Sequence, residues 1–285
     1  MSLDSINTTL NRAIHASADL LRFLDIAQAG LHLATEAEHS IELQREVAEV
    51  LGKPSPFPTQ TAYEEAKGRA QELEEFARRE RQHGFAFLYS LATVRLWTIL
   101  EILVDDLVAL ILLEPDVLTE QQAIQQLEGP LLPFVRALPA ERAEYLADQL
   151  RAHVKAPLRS GIGRFEAILG PVRLGGSVDD TVRRHLLELS EVRHVLVHRD
   201  GLIDKKLRAA CPWLADATNE RLQLTRNHYM TYALSVDWYI LEIALRASKQ
   251  FATEAPERTR EVQQRILDRL GDLLTARSAS LGTRE

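Results

Sequence analysis

Arg193 stands where the pattern of its segment calls for an apolar residue. Between positions 182 and 199, Val182, Leu186, Leu189 and Leu196 recur at helical spacing and define one apolar helix face. At about 100° per residue, Arg193 falls in the middle of that face. A buried, unpaired guanidinium is costly, so it requires a carboxylate or a polar cleft. Two imidazoles, His194 and His198, and a second cation, Arg199, follow directly. Fixed positive charge beside groups that exchange protons near neutrality points to a site for a phosphate.

Other readings compete for the same residues. Arg193 as the closing member of a core ion pair is purely architectural. His194 and His198, at i and i+4, share a helix face and have zinc-ligand spacing. Zinc needs further ligands, however, and no second cysteine or His-rich segment lies nearby; His185 falls on another side of the helix. No metal or cofactor is therefore expected. Arg183, Arg184, Lys205 and Lys206 are by default solvated surface charges, and their proximity to the motif recommends them, with Arg199, for backbone phosphate contacts.

The elements that must position these residues read as helices almost throughout. Residues 85–113 are apolar nearly all round, as in a central buried helix, except for a narrow stripe of Ser90, Thr98, Glu101 and Asp105 interrupted by Val94. That stripe needs a polar partner, and Glu101 or Asp105 is the expected carboxylate for Arg193. Pro115 closes this helix, and Thr119 with Gln122 resembles the start of the next. Helices are expected near 119–128, 140–153 and 156–169, with breaks at Gly170-Pro171 and Gly175-Gly176. Ser177 with Asp180 reads as the cap of the motif helix, and Gly201 as its left-handed stop. His198 and Arg199 then occupy the last turn, where the helix dipole favours positive charge. Two further helices are expected at 227–249 and 255–276, before a polar tail after Ser278.

Upstream, the first fifty residues form a helical pattern with a soft break near Gly30 and an end at Gly52. Pro54, Pro56 and Pro58 mark a linker, and 63–81 is a charged helix. This gives a helical N-terminal arm at 1–82, a helical domain at 83–250, and a C-terminal helix with a polar tail at 251–285.

Composition agrees with an all-α protein: aromatics are only 6%, while Leu, Ala, Glu and Arg dominate the 285 residues. The single cysteine, Cys211, cannot form an internal disulfide, which fits a reducing compartment. The first residues lack the charged and apolar regions of a signal peptide. The most apolar stretch, 99–113, carries Glu101, Asp105 and Asp106 and reads as core rather than a membrane span. A soluble, cytoplasmic protein with no membrane partner is expected. The net charge of −7 argues against a general nucleic-acid coat, but residues 151–208 hold 12 Lys and Arg against 7 Asp and Glu. One basic district on an acidic body suits a polyanion bound at a single place.

Arg193-His194-Val195-Leu196-Val197-His198 resembles the Arg-polar-x3-His motif of the HEPN superfamily. Glu191-Val192 before it, Arg199 to Asp204 after it, and Arg95-Leu96-Trp97…Glu101 on the earlier apolar helix carry the likeness further, over roughly 85–249. The resemblance implies a HEPN-like helical bundle that pairs into a homodimer. It implies a metal-independent endoribonuclease for single-stranded RNA, with the ribose 2′-hydroxyl attacking the adjacent phosphate. Arg193 and His198 would be catalytic, with His194 lining the cleft. It further implies service as a toxin or antiviral effector, with an antitoxin or regulatory protein as partner. One family variant has a tyrosine two residues after the motif histidine; here that position is Asp200. The alternative is a non-catalytic HEPN-like module that binds a nucleotide or protein.

Overall fold

The computed structural model describes residues 3–113, 121–155, 160–214, 221–251 and 258–282, and every regular element among them is a helix. In chain order these are α1 (Leu3–Ala34), α2 (Ala37–Val50), α3 (Gln60–Gln82), α4 (Ala86–Ile111), α5 (Gln122–Gln125) and α6 (Leu131–Arg136). There follow α7 (Pro139–His153), α8 (Gly163–Leu169), α9 (Asp180–His198), α10 (Lys205–Ala210), α11 (Arg226–Gln250) and α12 (Thr259–Gly282). None of the described helices is long and apolar enough to cross a membrane.

The chain forms two compact units, one of residues 1–18, 93–222 and 227–285 and a smaller one of residues 19–92 and 223–226. These bounds fall inside α1 and α4 rather than at the expected positions 82 and 250. In the larger unit, α4 and α11 supply much of the core. Leu96, Leu100, Val104, Leu107 and Val108 of α4 are fully buried, as are Tyr232, Val236, Tyr239 and Ile243 of α11. Fully buried apolar side chains each contribute roughly 1.5–3 kcal/mol.

Local departures from expectation have local causes. α1 runs straight through Gly30, and the break comes at Thr35, whose hydroxyl donates to the His32 carbonyl at 2.7 Å. α3 begins earlier than expected because Thr59 caps it, accepting from the Ala62 amide at 3.1 Å. The helix expected at 119–128 is reduced to one short turn, α5. The expected helix starts at 119, 156 and 255, Pro115, and the last residues of the polar tail lie outside the described residues.

Asp237 of α11 is a mostly buried acid whose hydrogen-bond donor is Ser17 of α1. Burial pushes its carboxyl up to about 6 from 3.8, and the Ser17 hydroxyl pulls weakly the other way. The unfolded chain therefore releases this proton first as pH rises, and the folded chain loses stability between about pH 4 and 6. Asp237→Asn removes that loss. Above about pH 7 the variant should be more stable by about 3 kcal/mol, with a flatter pH dependence below. Urea unfolding across this pH range checks it; equal stability of both proteins at every pH would refute the assignment.

Candidate active site on helix α9

α9 is 19 residues long and is capped by Asp179, not by Ser177 as expected. The Asp179 carboxylate accepts from the amides of Thr181 and Val182 at 2.9 and 3.3 Å. At the other end Asp200 and Gly201 both adopt left-handed backbone, with φ of 51° and 75°. Asp tolerates this conformation better than most side chains. Arg221 fixes the turn through the Asp200 carboxylate at 2.9 Å, and the Leu222 amide donates to the Gly201 carbonyl at 2.8 Å.

The helix is buried around well over half of its circumference, and most polar groups on that arc are matched. His185 Nδ1 meets Ser235 Oγ at 3.2 Å. Glu188, with no exposure, accepts from Tyr232 Oη at 2.7 Å and from Trp213 Nε1. Glu191 pairs with Lys206 at 2.9 Å. Arg193 is the exception. Its Nε is buried with no hydrogen-bond partner, and among the described residues no carboxylate reaches its guanidinium.

The expected pairing of Arg193 with Glu101 or Asp105 is therefore not found. Arg164 of α8 reaches Glu101 at 3.2 Å, and Trp97 Nε1 donates to the same carboxylate at 3.0 Å. Arg151 of α7 takes Asp105 at 2.7 Å. Burial raises the Asp105 carboxyl above its ordinary range, and Arg151 partly offsets this. The other members of the stripe satisfy themselves within α4: Ser90 donates to the Ala86 carbonyl and Thr98 to that of Val94. The stripe does have polar partners, but α7 and α8 supply them.

His194 and His198 stand together, their ring centroids 4.9 Å apart at 51°. His194 is half-buried and His198 exposed. Among the described residues no three His, Cys, Asp or Glu side chains gather as a metal site. Arg199 and Lys205 are exposed near this end, without partners among the described residues. Arg183 and Arg184 lie about 23 Å away along the helix axis. There Arg183 touches the Val178 carbonyl, and the Arg184 guanidinium stacks 3.9 Å from the centre of the Trp213 ring. Lys206 is committed to Glu191. The five cations expected to contact RNA are thus not one cluster: Arg183 and Arg184 stand at the other end of α9, Lys206 is held by Glu191, and Arg199 directly follows the second histidine.

A second arginine, not anticipated from sequence, governs where α9 begins. Arg246 of α11 grips both oxygens of Glu166 at 2.8 and 3.1 Å, Glu242 at 3.0 Å, and the carbonyls of Leu174 and Ser177 at 3.1 and 2.8 Å. Tyr239 Oη and the Gly176 amide complete Glu166 at 2.7 and 2.9 Å. A Cβ on Gly176 would sit 2.9 Å from Arg246 Nε, so a side chain there would push the guanidinium away from its partners. The i,i+4 spacing of Glu242 and Arg246 within an apolar helix was the available sequence signal.

No protein family, curated protein or solved structure matches this chain.

The two arginines should respond to substitution with opposite signs. Arg246→Met strands Glu166 in a low-exposure site and should destabilise the fold by about 3 kcal/mol. Arg193→Met removes a buried donor that lacks a partner and keeps the aliphatic packing, so it should stabilise by about 1 kcal/mol. Thermal unfolding of both variants tests this, and a strong loss of stability in Arg193→Met would reveal a missed partner.

Proposed function

We propose that the chain is a metal-independent endoribonuclease of HEPN type, acting on single-stranded RNA at a site shared by two copies. The observation that carries the reading is the half-buried Arg193, whose Nε is buried without a partner and which lies within two turns of the paired rings of His194 and His198. An arginine without a carboxylate in its own fold has unmet demand for an anion, and a phosphodiester supplies one. This favours a ligand-binding over an architectural role.

The chemistry follows from the side chains. An imidazole accepts the proton of the ribose 2′-hydroxyl as its oxygen bonds to phosphorus. Negative charge grows on the phosphorane oxygens, where the planar guanidinium can hold two of them. The bond from phosphorus to the 5′ oxygen breaks and that oxygen takes up a proton, leaving a 2′,3′-cyclic phosphate and a 5′-hydroxyl. Arg193 and His198 are five positions apart and point about 140° from each other. A two-fold axis near α9 solves this, because Arg193 of one copy and His198 of the other then face one cleft. Arg199 and Lys205 extend that cleft along the RNA backbone. A role as a toxin or antiviral effector, restrained by an antitoxin or regulatory protein, fits such an activity in a cytoplasmic setting.

Cleavage of labelled RNA in excess EDTA is the direct test. Wild-type activity should persist, His198→Ala should lose roughly a hundredfold or more, and Arg193→Lys a comparable factor. An equal mixture of inactive Arg193→Ala and His198→Ala chains should recover about a quarter of wild-type activity, since half the dimers are hybrids with one intact site. Strict dependence on added metal would overturn the mechanism, and no recovery on mixing would overturn the shared site. RNA binding without cleavage by the wild type would favour a non-catalytic binding module.

A further inference from the structure

The second half of α1 has two apolar faces, and only one of them is used. Within the smaller unit, Leu24 is 2% exposed, Gln28 donates to Tyr89 Oη, and the His32 ring meets the Phe85 ring at 5.3 Å. On the other side Phe23, Ile26 and Leu33 are 58%, 72% and 80% exposed. Among the described residues this unit holds eleven of the twenty large apolar side chains that face solvent. A helix that is apolar on both sides is built to be covered on both.

The uncovered side has the spacing of a helix-pairing seam. Phe23, Ile26, Gly30 and Leu33 are separated by three, four and three positions, the alternation of coiled-coil core residues, and lie within about 80° of one another. A Cβ on Gly30 would meet nothing within 4 Å, so the glycine leaves an open notch in the middle of the seam. The flanking positions Ala27, Ala29 and Ala34 carry no charge that would select a foreign helix. Arg22 and Glu36 bracket the seam with opposite signs.

We propose that this seam pairs with the same seam of a second copy, the two α1 helices running antiparallel. Centred between positions 26 and 30, that register sets Ile26 of one copy into the notch at Gly30 of the other, and Phe23 against Leu33. It also brings Arg22 near Glu36 at both ends. A parallel register would stack notch on notch and arginine on arginine. Arg22 already pairs with Asp19 at 2.7 Å, but both are well exposed and such a pair contributes little. Two heptads make a small interface, so association through it is concentration-dependent. The proposal is independent of the RNA-cleavage reading and of any pairing through α9.

Cysteine cross-linking reads this contact directly. Ile26→Cys and Gly30→Cys chains, mixed in equal amounts and oxidised with diamide, should form a covalent dimer far more efficiently than either chain alone. The unchanged chain is the control, since its Cys211 is buried. Equal cross-linking by Ile26→Cys alone would overturn the antiparallel register, and no covalent dimer in the mixture would overturn the pairing. Gly30→Ala supplies a second readout. It replaces a mid-helix glycine, so Tm should rise by roughly 2 °C, while self-association measured by sedimentation weakens because the notch is filled. Tighter or unchanged association in Gly30→Ala would also overturn the proposal.

Discussion

The structure depends on one constraint: α9 is buried over most of its circumference, yet it carries more charge than a core helix tolerates. Each polar group on the buried arc must be answered from another element, because an unpaired buried donor or acceptor costs about twice what a made hydrogen bond contributes. Ser235 and Tyr232 of α11 answer His185 and Glu188, Lys206 of α10 answers Glu191, and the Asp200 turn reverses the chain so that α10 can reach it. The short α10 and the loop with Trp213 thus run back along α9 as a lining of hydrogen-bond partners. Their position is a consequence of what α9 buries.

The start of α9 obeys the same logic. Glu166, one-fifth exposed, is fully occupied by Arg246, Tyr239 and the Gly176 amide. With Arg246 also holding the carbonyls of Leu174 and Ser177, the segment before the helix cannot coil. The capping role therefore passes from Ser177 to Asp179. Both residues are good caps, and nothing local to the sequence chooses between them. The choice is made by an arginine almost seventy positions later.

This separates what was legible in the sequence from what was not. Periodicity fixes the phase of a helix, so the misplaced Arg193, the buried character of α4 and the stop at Gly201 could all be read from residue order. Phase says which way a side chain points, but not what stands there. The polar stripe of α4 was read correctly as needing partners, and Glu101 and Asp105 do have them. That these are Arg164 and Arg151 depends on how α7 and α8 lie across α4. Those helices are short, and their own pattern carries no such information. Arg183 and Arg199 likewise look adjacent on paper but stand at opposite ends of a rigid rod.

Arg193 then acquires its meaning by contrast. Arg246 and Arg193 are both arginines on largely buried helix faces, and residue type alone cannot tell them apart. Arg246 has a carboxylate, a second carboxylate and two carbonyls, which leaves its guanidinium no capacity for a ligand. Arg193 has a buried Nε and no partner, next to two imidazoles that are themselves not engaged in the core. On the same helix His185, Glu188 and Glu191 are all satisfied, although Thr93 Oγ1 and Trp238 Nε1 elsewhere in the fold also lack partners. Leaving one strong cation unanswered at the histidine end costs stability, and such costs gather where a protein binds something. A guanidinium whose Nε has no partner in its own fold is a donor open to an anion, and that is the demand on which the proposed RNA site rests.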